Sequence, residues 1–389
     1  MNTKTDNQIT KVAVIGAGTM GAAIAQHFLM KNLQVVLLDV QQEGLKRGIA
    51  EIDKSLSEAV ERRILSDEKK QALLSNLKST TQYADLADRQ FIVEAVFENF
   101  DVKQSVFAEV ERNVSPECII ASNTSSFSIS ELGSKLAHQD RFLGVHYFYH
   151  AAKNKLIEVI PGKNTDQTRV DELVNFYYAN DKAPIVVADV YGFAVNRFFV
   201  PWLTEAVRLY EEGLGSIAFI DEVAVKVFGV GMGPFALMNA TGVPIALHSA
   251  ETLEENFGAM YAPSQTLREQ VAKGEDWDCS STALINTGAT DNEQLVKNRL
   301  LAFPLGVAAQ MVSEGVTSAT EADLGARLGL RWPLGPFELM NQIGVSTMED
   351  IVTQAFEKFG QPTPSIFSET DHQKGFIVEH VKAHAIGTT

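Results

Sequence analysis

The fold of the N-terminal half is decided by the stretch Val12-Ala13-Val14-Ile15-Gly16-Ala17-Gly18-Thr19-Met20-Gly21. Its apolar start is typical of a buried β-strand, and three glycines in a Gly-x-Gly-x-x-Gly arrangement follow at once. The helical pattern of Ala22–Lys31 comes directly after the last glycine. Strand, glycine turn and helix in this order predict the first βα unit of a parallel sheet.

Each glycine in this turn has its own physical reason. Gly16 permits the tight turn, Gly18 lets the backbone approach a pyrophosphate, and Gly21 lets helix and strand pack closely. Backbone N–H groups at the helix start, around Thr19 and Met20, can donate hydrogen bonds to the phosphate charge. The turn therefore predicts a dinucleotide-binding site.

Asp39 indicates which dinucleotide binds. It ends the predicted second strand, where a carboxylate accepts hydrogen bonds from the adenosine ribose hydroxyls and repels a 2′-phosphate. The sequence therefore predicts NAD rather than NADP as the cofactor. FAD is one alternative, and a tight βα turn beside a solvated Asp39 is another.

Alternating strand and helix patterns continue to about residue 160 and predict a Rossmann-type, doubly wound α/β sheet over residues 1–188. The polar stretch Gln42–Lys78, with a helix start at Ser66-Asp67-Glu68, predicts a helical hairpin that projects from the sheet. The predicted strands are Lys11–Ile15, Gln34–Asp39, Phe91–Val96, Cys118–Ala121, Phe142–Phe148 and Leu156–Ile160.

The second half has helical periodicity and contains an internal repeat. A shift of 102 positions aligns residues 196–242 with residues 298–344 without a gap, and 16 of the 47 positions are identical. The polar, Gly/Ser/Thr-rich segment Gly274–Glu293 lies between the copies. The repeat predicts two tandem all-α domains, residues 189–290 and residues 291–389.

The composition argues against several classes of function. The chain has 389 residues and a formal net charge of −16, which disfavours a nucleic-acid partner. It has no apolar run of the roughly 18 residues that a membrane helix needs, and its polar start does not resemble a signal peptide. Its two cysteines, Cys118 and Cys279, lack metal-ligand spacing. We therefore expect a cytoplasmic protein without a metal site.

A histidine and a glutamate are the candidate catalytic pair. Oxidising an alcohol by hydride transfer needs a base, and His146 lies near the end of a predicted strand, at the edge where such sheets bind ligands. Glu158 is a carboxylate within an otherwise apolar strand, and buried carboxylates are rare unless they are paired. Glu158 would orient the imidazole and stabilise its charged form. Spacing alone equally allows a structural pair that ties two strands together.

Five motifs resemble those of the L-3-hydroxyacyl-CoA dehydrogenase family, in the same order over about residues 11–350. They are Val14–Gly21, Glu94–Asn99, Ala121–Ser126, Gly144–Ile160 and Gly192–Arg197. The resemblance implies NAD-dependent oxidation of a 3-hydroxyacyl-CoA to the 3-ketoacyl-CoA, as in fatty-acid β-oxidation. Acyl-CoA would then be the small-molecule substrate.

The resemblance also implies roles for single residues near the reacting atoms. His146 would be the general base and Glu158 the carboxylate that orients it. Ser125 and Asn196 would hydrogen-bond the reacting oxygen or the base, and Asn123 would help to line the nicotinamide site. The residues themselves leave another interpretation open, with Asn123 and Ser125 as turn residues and Asn196 as a helix N-cap.

Further residues would bind the two larger ligands. By the same resemblance, Glu98 and Lys103 would lie against the cofactor, and the helical hairpin would contact CoA near Ser55 and Arg62. Arg62 could pair with a CoA phosphate, although a solvated helix face explains it equally well.

Some positions depart from the family's usual pattern. The family commonly has His-Phe-Phe-Asn-Pro where this chain has His146-Tyr147-Phe148-Tyr149-His150, and Asn154 replaces an apolar residue. Both changes lie in the loop that faces the acyl chain, so we expect a polar, or a bulky cyclic or aromatic, acyl group. Tyr191 replaces a common proline before Gly192.

The duplication carries a further expectation. Family members with one helical unit typically dimerise through it, so the second unit here should cover the same face within one chain, giving a pseudo-dimeric helical half. A homo-oligomer of the whole chain stays open. Two other functions also stay open: a hydroxyacid or sugar-acid dehydrogenase without CoA, and a non-catalytic, crystallin-like NAD-binding protein.

Overall fold

The computed structural model describes residues 8–285 and 292–378. The chain divides into two compact units, Met1–Asp189 and Val190–Thr389. The first unit is a β-sheet accompanied by helices, and the second is built from helices. The predicted fold class, α/β followed by all-α, is therefore confirmed.

The first unit contains an eight-stranded sheet in the order β3-β2-β1-β4-β5-β6-β7-β8. All neighbouring strands are parallel except β6 and β7, which are antiparallel. The strand order reverses beside β1, and such a point opens a crevice at the carboxyl ends of the strands. The strands are β1 (Lys11–Ile15), β2 (Gln34–Leu38), β3 (Leu77–Thr80), β4 (Phe91–Glu94), β5 (Ile119–Ser122), β6 (Phe142–Tyr147), β7 (Leu156–Pro161) and β8 (Ala183–Val186).

Within residues 8–189, six α-helices accompany the sheet. Ser66 caps the second helix of the hairpin by accepting a hydrogen bond from the backbone N–H of Lys69, which confirms the predicted helix start. The apolar residues Leu45, Ile52 and Leu56 of the hairpin are buried in the same core as the first helix, so the hairpin packs on the unit. The helices are α1 (Thr19–Met30), α2 (Gln42–Glu61), α3 (Asp67–Ser75), α4 (Phe100–Asn113), α5 (Ile129–Leu132) and α6 (Gln167–Ala179).

Two strands, β3 and β8, were not predicted. The predicted hairpin Gln42–Lys78 is wrong at its end, because α3 stops at Ser75 and Leu77–Thr80 pairs with β2. Residues 77–80 are mostly polar and partly exposed, and β8 has only four residues, including Pro184. Short edge strands lack the apolar run that identifies a buried strand. The bounds of the six predicted strands lie within two residues of those in the structure.

The second unit repeats one helical pattern, in which α7–α10 correspond to α12–α15. Its helices are α7 (Val195–Glu211), α8 (Ile217–Phe228), α9 (Pro234–Thr241), α10 (Val243–Phe257), α11 (Gln265–Lys273), α12 (Glu293–Ser313), α13 (Ala319–Gly329), α14 (Pro336–Ile343), α15 (Val345–Glu357) and α16 (Ile366–Glu369).

The same local contacts build both copies. Asp221 accepts hydrogen bonds from the backbone N–H groups of Phe235 and Ala236 at 2.9 and 3.0 Å. Asp323, its counterpart, accepts them from the first turn of α14 at 2.7 and 2.9 Å. A Cβ on Gly233 would lie 2.4 Å from the Asp221 carboxyl, which explains why the glycine recurs in both copies.

The two copies also pair with each other reciprocally. The guanidinium of Arg197 lies 2.7 Å from the carboxylate of Glu314 in the second copy. Arg299, the counterpart of Arg197, pairs at 3.0 Å with Glu212, the counterpart of Glu314. A contact that each copy makes to the other in the same way is typical of a two-fold interface.

Candidate active site

The glycine turn fits a bound phosphate. Gly16 has φ +96°, and a Cβ there would lie 2.5 Å from the carbonyl oxygen of Ala95. A Cβ on Gly21 would lie 1.8 Å from the carbonyl oxygen of Gly16, whereas nothing lies within 4 Å of a Cβ on Gly18. Helix α1 begins at Thr19 without a side-chain cap, so its first N–H groups suit an anionic ligand.

Asp39 is tied to this turn. The carboxylate follows β2, which ends one residue earlier than predicted, and accepts a hydrogen bond from the backbone N–H of Ala17 at 2.9 Å. Its other oxygen accepts one from Gln41 N–H, also at 2.9 Å. The carboxylate stays partly exposed, so its remaining lone pairs can accept ribose hydroxyls.

The predicted His–Glu pair is confirmed as a contact. His146 in β6 lies directly opposite Glu158 in β7, and the imidazole Nδ1 is 2.6 Å from Oε2 of the carboxylate. His146 is 6% exposed and Glu158 is fully buried. A proton on Nδ1 directed at Glu158 makes Nε2 the acceptor nitrogen, which is the arrangement that a general base needs.

The loop after β5 carries Asn123 and Ser125, and Asn123 contacts the strand of His146. Asn123 Oδ1 accepts a hydrogen bond from the backbone N–H of Tyr147 at 2.9 Å. The backbone N–H of Asn123 donates to the backbone carbonyl of Glu94 at 2.8 Å. Asn123 therefore joins the end of β4 to the strand of His146. The backbone N–H of Ser125 donates to Oε1 of Glu98 at 3.2 Å.

Lys103 is buried beneath this loop. Its ammonium lies 2.7 Å from the carboxylate of Glu94 and 3.1 Å from that of Glu98, and its side chain is 1% exposed. Burial acts to raise the pKa of Glu98, but the charge of Lys103 and hydrogen bonds from Thr124, Lys103 and Ser126 hold it below its ordinary value. Glu98 is therefore an ionised acceptor that fixes the loop.

Glu94 is a site residue that the sequence reasoning missed. Its carboxylate is fully buried and accepts hydrogen bonds from Lys103, the Ser122 hydroxyl and Val96 N–H, each at 2.7 Å. The signal was present, because Glu94 is a charge within an apolar strand, as Glu158 is.

The remaining predicted residues lie on other elements than the His–Glu pair. Ser55 on α2 accepts a hydrogen bond from Gln26 on α1 at 2.8 Å, and Arg62 is exposed just after α2. Asn196 lies in the first turn of α7, and the interpretation of Asn196 as an N-cap is wrong, because Ala194 holds that position.

Residues 8–285 and 292–378 lack two further features. Within them, no group of His, Cys, Asp and Glu side chains is arranged to hold a metal ion. In the same ranges, every helix is too short or too polar to span a bilayer.

Family models match most of the chain. The model described as "3-hydroxyacyl-CoA dehydrogenase, NAD binding domain" matches residues 11–190. The model described as "3-hydroxyacyl-CoA dehydrogenase, C-terminal domain" matches residues 192–276 and again residues 295–383. The second model therefore matches both copies of the helical repeat.

Relatives and solved structures point the same way. The glyoxysomal fatty acid beta-oxidation multifunctional protein MFP-a of Brassica napus is 34% identical over 264 residues, which make up 68% of this chain and 35% of that protein. The (S)-3-hydroxybutyryl-CoA dehydrogenase structure from Ralstonia eutropha is 33% identical with a TM-score of 0.68, covering 71% of this chain and 98% of that chain.

A third comparison concerns the fold alone. The 3-hydroxybutyryl-CoA dehydrogenase structure from Escherichia coli K12 has a TM-score of 0.85 at 23% identity and covers 93% of this chain and 98% of that chain. The chain spans about a third to a half of the length of the curated relatives that it matches.

Proposed function

Because the chain belongs to the 3-hydroxyacyl-CoA dehydrogenase family, we propose that it oxidises a 3-hydroxyacyl-CoA to the 3-ketoacyl-CoA, with NAD as the hydride acceptor. The observation that carries the proposal is the 2.6 Å contact between His146 and the buried Glu158. It lies in the same sheet as a glycine turn and an acidic residue suited to NAD.

The proposed chemistry uses this pair for the proton. His146 Nε2 takes the proton of the 3-hydroxyl group while a hydride leaves C3, so the C–O single bond becomes the carbonyl. Glu158 stabilises the imidazolium that forms, because a buried carboxylate next to it favours its charged form. Bound NAD supplies the hydride acceptor. In the reverse direction His146 returns the proton to the oxygen.

The other predicted residues take supporting roles in this proposal. Ser125 and Asn196 hydrogen-bond the reacting oxygen, which needs donors without added charge. Asn123 presents its Nδ2 group to the nicotinamide side, since its Oδ1 already accepts Tyr147 N–H. Lys103 acts through Glu98, because its ammonium is buried.

The cofactor and CoA contacts complete the site. Gly16, Gly18 and Gly21, with the N–H groups around Thr19 and Met20, hold the pyrophosphate, and Asp39 holds the adenosine ribose. The CoA part of the substrate binds near Ser55 and Arg62.

We also propose that residues 189–290 and 291–389 are two domains that form a pseudo-dimer within one chain. The reciprocal pairs Arg197–Glu314 and Arg299–Glu212 support this, because equivalent residues exchange partners. Cys118 and Cys279 are both free thiols, which suits a reducing compartment such as the cytoplasm.

An NADH absorbance assay with acetoacetyl-CoA tests the function. We expect consumption of NADH, with NADPH a poorer substrate because Asp39 repels the 2′-phosphate. Binding of NADH without turnover of any acyl-CoA would support a non-catalytic NAD-binding protein instead. Turnover of free hydroxyacids but not of their CoA esters would support a dehydrogenase that does not use CoA.

A further inference from the structure

Residues 148–155, here called the β6–β7 loop, connect His146 to Glu158. The loop begins against the imidazole, because the ring centroid of Phe148 lies 4.6 Å from that of His146. It then closes on itself, since the backbone N–H groups of Lys153 and Asn154 both donate to the carbonyl of His150 at 2.8 Å. The loop therefore starts in contact with His146 and is held in shape by its own backbone hydrogen bonds.

Lys182 holds this loop from outside. It directly precedes β8, and its ammonium donates hydrogen bonds to the carbonyl oxygens of Ala151 and Asn154, both at 2.5 Å. The same nitrogen lies 5.7 Å from the centroid of the Tyr147 ring. One side chain thus fixes two points of the loop and contacts the residue next to His146.

The ammonium is held there at a free-energy cost. Lys182 is 3% exposed, and in the described part of the chain its partners are carbonyl dipoles and an aromatic ring rather than a carboxylate. Burial, with a smaller effect from the charge of Lys31, lowers the pKa of Lys182 to about 7. A methionine would fill the same space without this cost, so the hydrogen bonds themselves are what the position requires.

We propose that Lys182 is a positioning residue that fixes the β6–β7 loop and, through it, the acyl-facing wall of the active site. The proposal rests on the proposed function. The loop carries the exposed Tyr149, together with His150 and Asn154, at the positions where this chain departs from its family. Lys182 takes no part in proton transfer.

The expected effect is specific because the His–Glu pair has its own support. His146 and Glu158 are aligned by the β6–β7 ladder, which does not involve Lys182. The glycine turn and Asp39 belong to other strands. Loss of the Lys182 contacts should therefore weaken acyl-CoA binding and turnover and leave NAD binding unchanged.

The chain offers a matched control in Arg208. Its guanidinium also donates to two carbonyl oxygens two residues apart, those of Met260 and Ala262, at 2.7 and 2.6 Å. This arrangement lies within the helical unit, whereas the β6–β7 loop belongs to the first unit. Lys182→Met and Arg208→Met therefore each remove a cation that binds two carbonyl oxygens, and Arg208→Met also removes an ion pair with Glu205.

The experiment measures KM and kcat for both substrates in the two variants. Lys182→Met should raise KM for acetoacetyl-CoA about tenfold, the scale expected when a substrate-positioning element loosens, with KM for NADH changed less than about twofold. Arg208→Met should leave both KM values near those of the unchanged chain. Equal effects of the two variants, or a parallel rise in both KM values for Lys182→Met, would overturn the proposal.

Hydrogen exchange separates this proposal from the proposed function. The amides of Lys153 and Asn154 should exchange faster in Lys182→Met than in the unchanged chain, and should be unaffected in Arg208→Met. Unchanged exchange would refute the positioning role even if the enzyme is active. If these amides exchange faster in Lys182→Met but the unchanged chain turns over no acyl-CoA, the proposed function is refuted. The positioning of the loop by Lys182 would still hold. Lys182→Leu, which also lacks a donor, replaces Lys182→Met if that variant does not fold.

Discussion

Two regions at the same edge of the sheet each contain a fully buried glutamate facing a basic side chain. At the end of β4, Glu94 pairs with the ammonium of Lys103, which also contacts Glu98. At the start of β7, Glu158 pairs with the imidazole of His146. The acid and its burial are the same in both regions, and the partner differs.

The partner decides what each region can do. An ammonium held between two carboxylates is fixed by both and serves to hold the loop after β5. An imidazole can donate from one ring nitrogen to a carboxylate and accept a proton at the other, and here the second nitrogen faces away from the carboxylate. The comparison indicates that Glu94 positions the site, whereas Glu158 supports the chemistry.

The largest effect should follow from changing the reacting pair. We expect His146→Gln and Glu158→Gln each to lower kcat by about 10²–10⁴-fold, because general base catalysis and its counter-charge are lost. The double variant should lose little more than either single one, since the two residues act as a unit. Steady-state kinetics with acetoacetyl-CoA and NADH measure this. Near-normal turnover in both single variants would remove the basis of the comparison.

A second, smaller effect should follow at Glu94. Glu94→Gln keeps the shape of the side chain and removes its charge, so breaking this buried pair should cost about 3–5 kcal/mol of stability. We expect kcat to fall about tenfold as the Asn123–Ser126 loop shifts. Urea unfolding and steady-state kinetics give the two values.

Two further variants sharpen the Glu94 prediction. Glu94→Gln combined with Lys103→Met removes both charges and should recover much of the lost stability. Glu205→Gln changes another fully buried glutamate, paired with Arg208 in the helical unit, and should lower stability without lowering kcat. A fall in kcat for Glu94→Gln as large as that for Glu158→Gln would contradict the assigned difference.

A third prediction concerns Asn123, which links the two regions. Asn123→Ala removes the hydrogen bond to Tyr147 N–H and should cost about 1 kcal/mol of stability. In a Glu94→Gln background the same change should cost less, because the loop has already shifted. A double-mutant cycle of unfolding free energies measures this coupling. Full additivity would mean that the two regions are independent.

Much of this site could be predicted from local sequence patterns. The glycine turn, the capping Ser66 and the charged residue inside the apolar strand β7 each follow from rules that need only neighbouring residues. The helical repeat was visible because its cap residues, such as Asp221 and Asp323, recur at a fixed spacing.

Other parts depend on contacts between distant positions. Lys182 precedes an apolar run and looks like a solvated lysine, since its carbonyl partners lie 28 and 31 residues earlier in the chain. Strand β3 is polar because only one neighbouring strand covers it. Glu94 carried the same signal as Glu158, but no histidine near it in sequence drew attention to a pair.

The smallest predicted effect concerns a third buried basic residue, Lys182. Its pKa of about 7 lies below its ordinary value of 10.5, so between these values the unfolded chain binds a proton that the folded chain does not. Stability from this group therefore increases as pH rises from about 7 towards 10, and decreases as pH falls back to 7. The slope should reach at most about 1.4 kcal/mol per pH unit, because one proton is involved.

Urea unfolding at pH 7, 8 and 9 separates this contribution from the others. The neighbouring His27 has a pKa lowered well below its ordinary value, mainly by burial, and burial raises the pKa of Tyr147 and Tyr177 above theirs, so these groups do not titrate in this range. The unfolding free energy of the unchanged chain minus that of Lys182→Met should therefore increase as pH rises. For Arg208→Met the difference should stay constant, because a guanidinium remains charged throughout. Parallel curves for Lys182→Met would mean that burial does not oppose the charge of this ammonium, and that its hydrogen bonds to the loop compensate fully for the lost solvation.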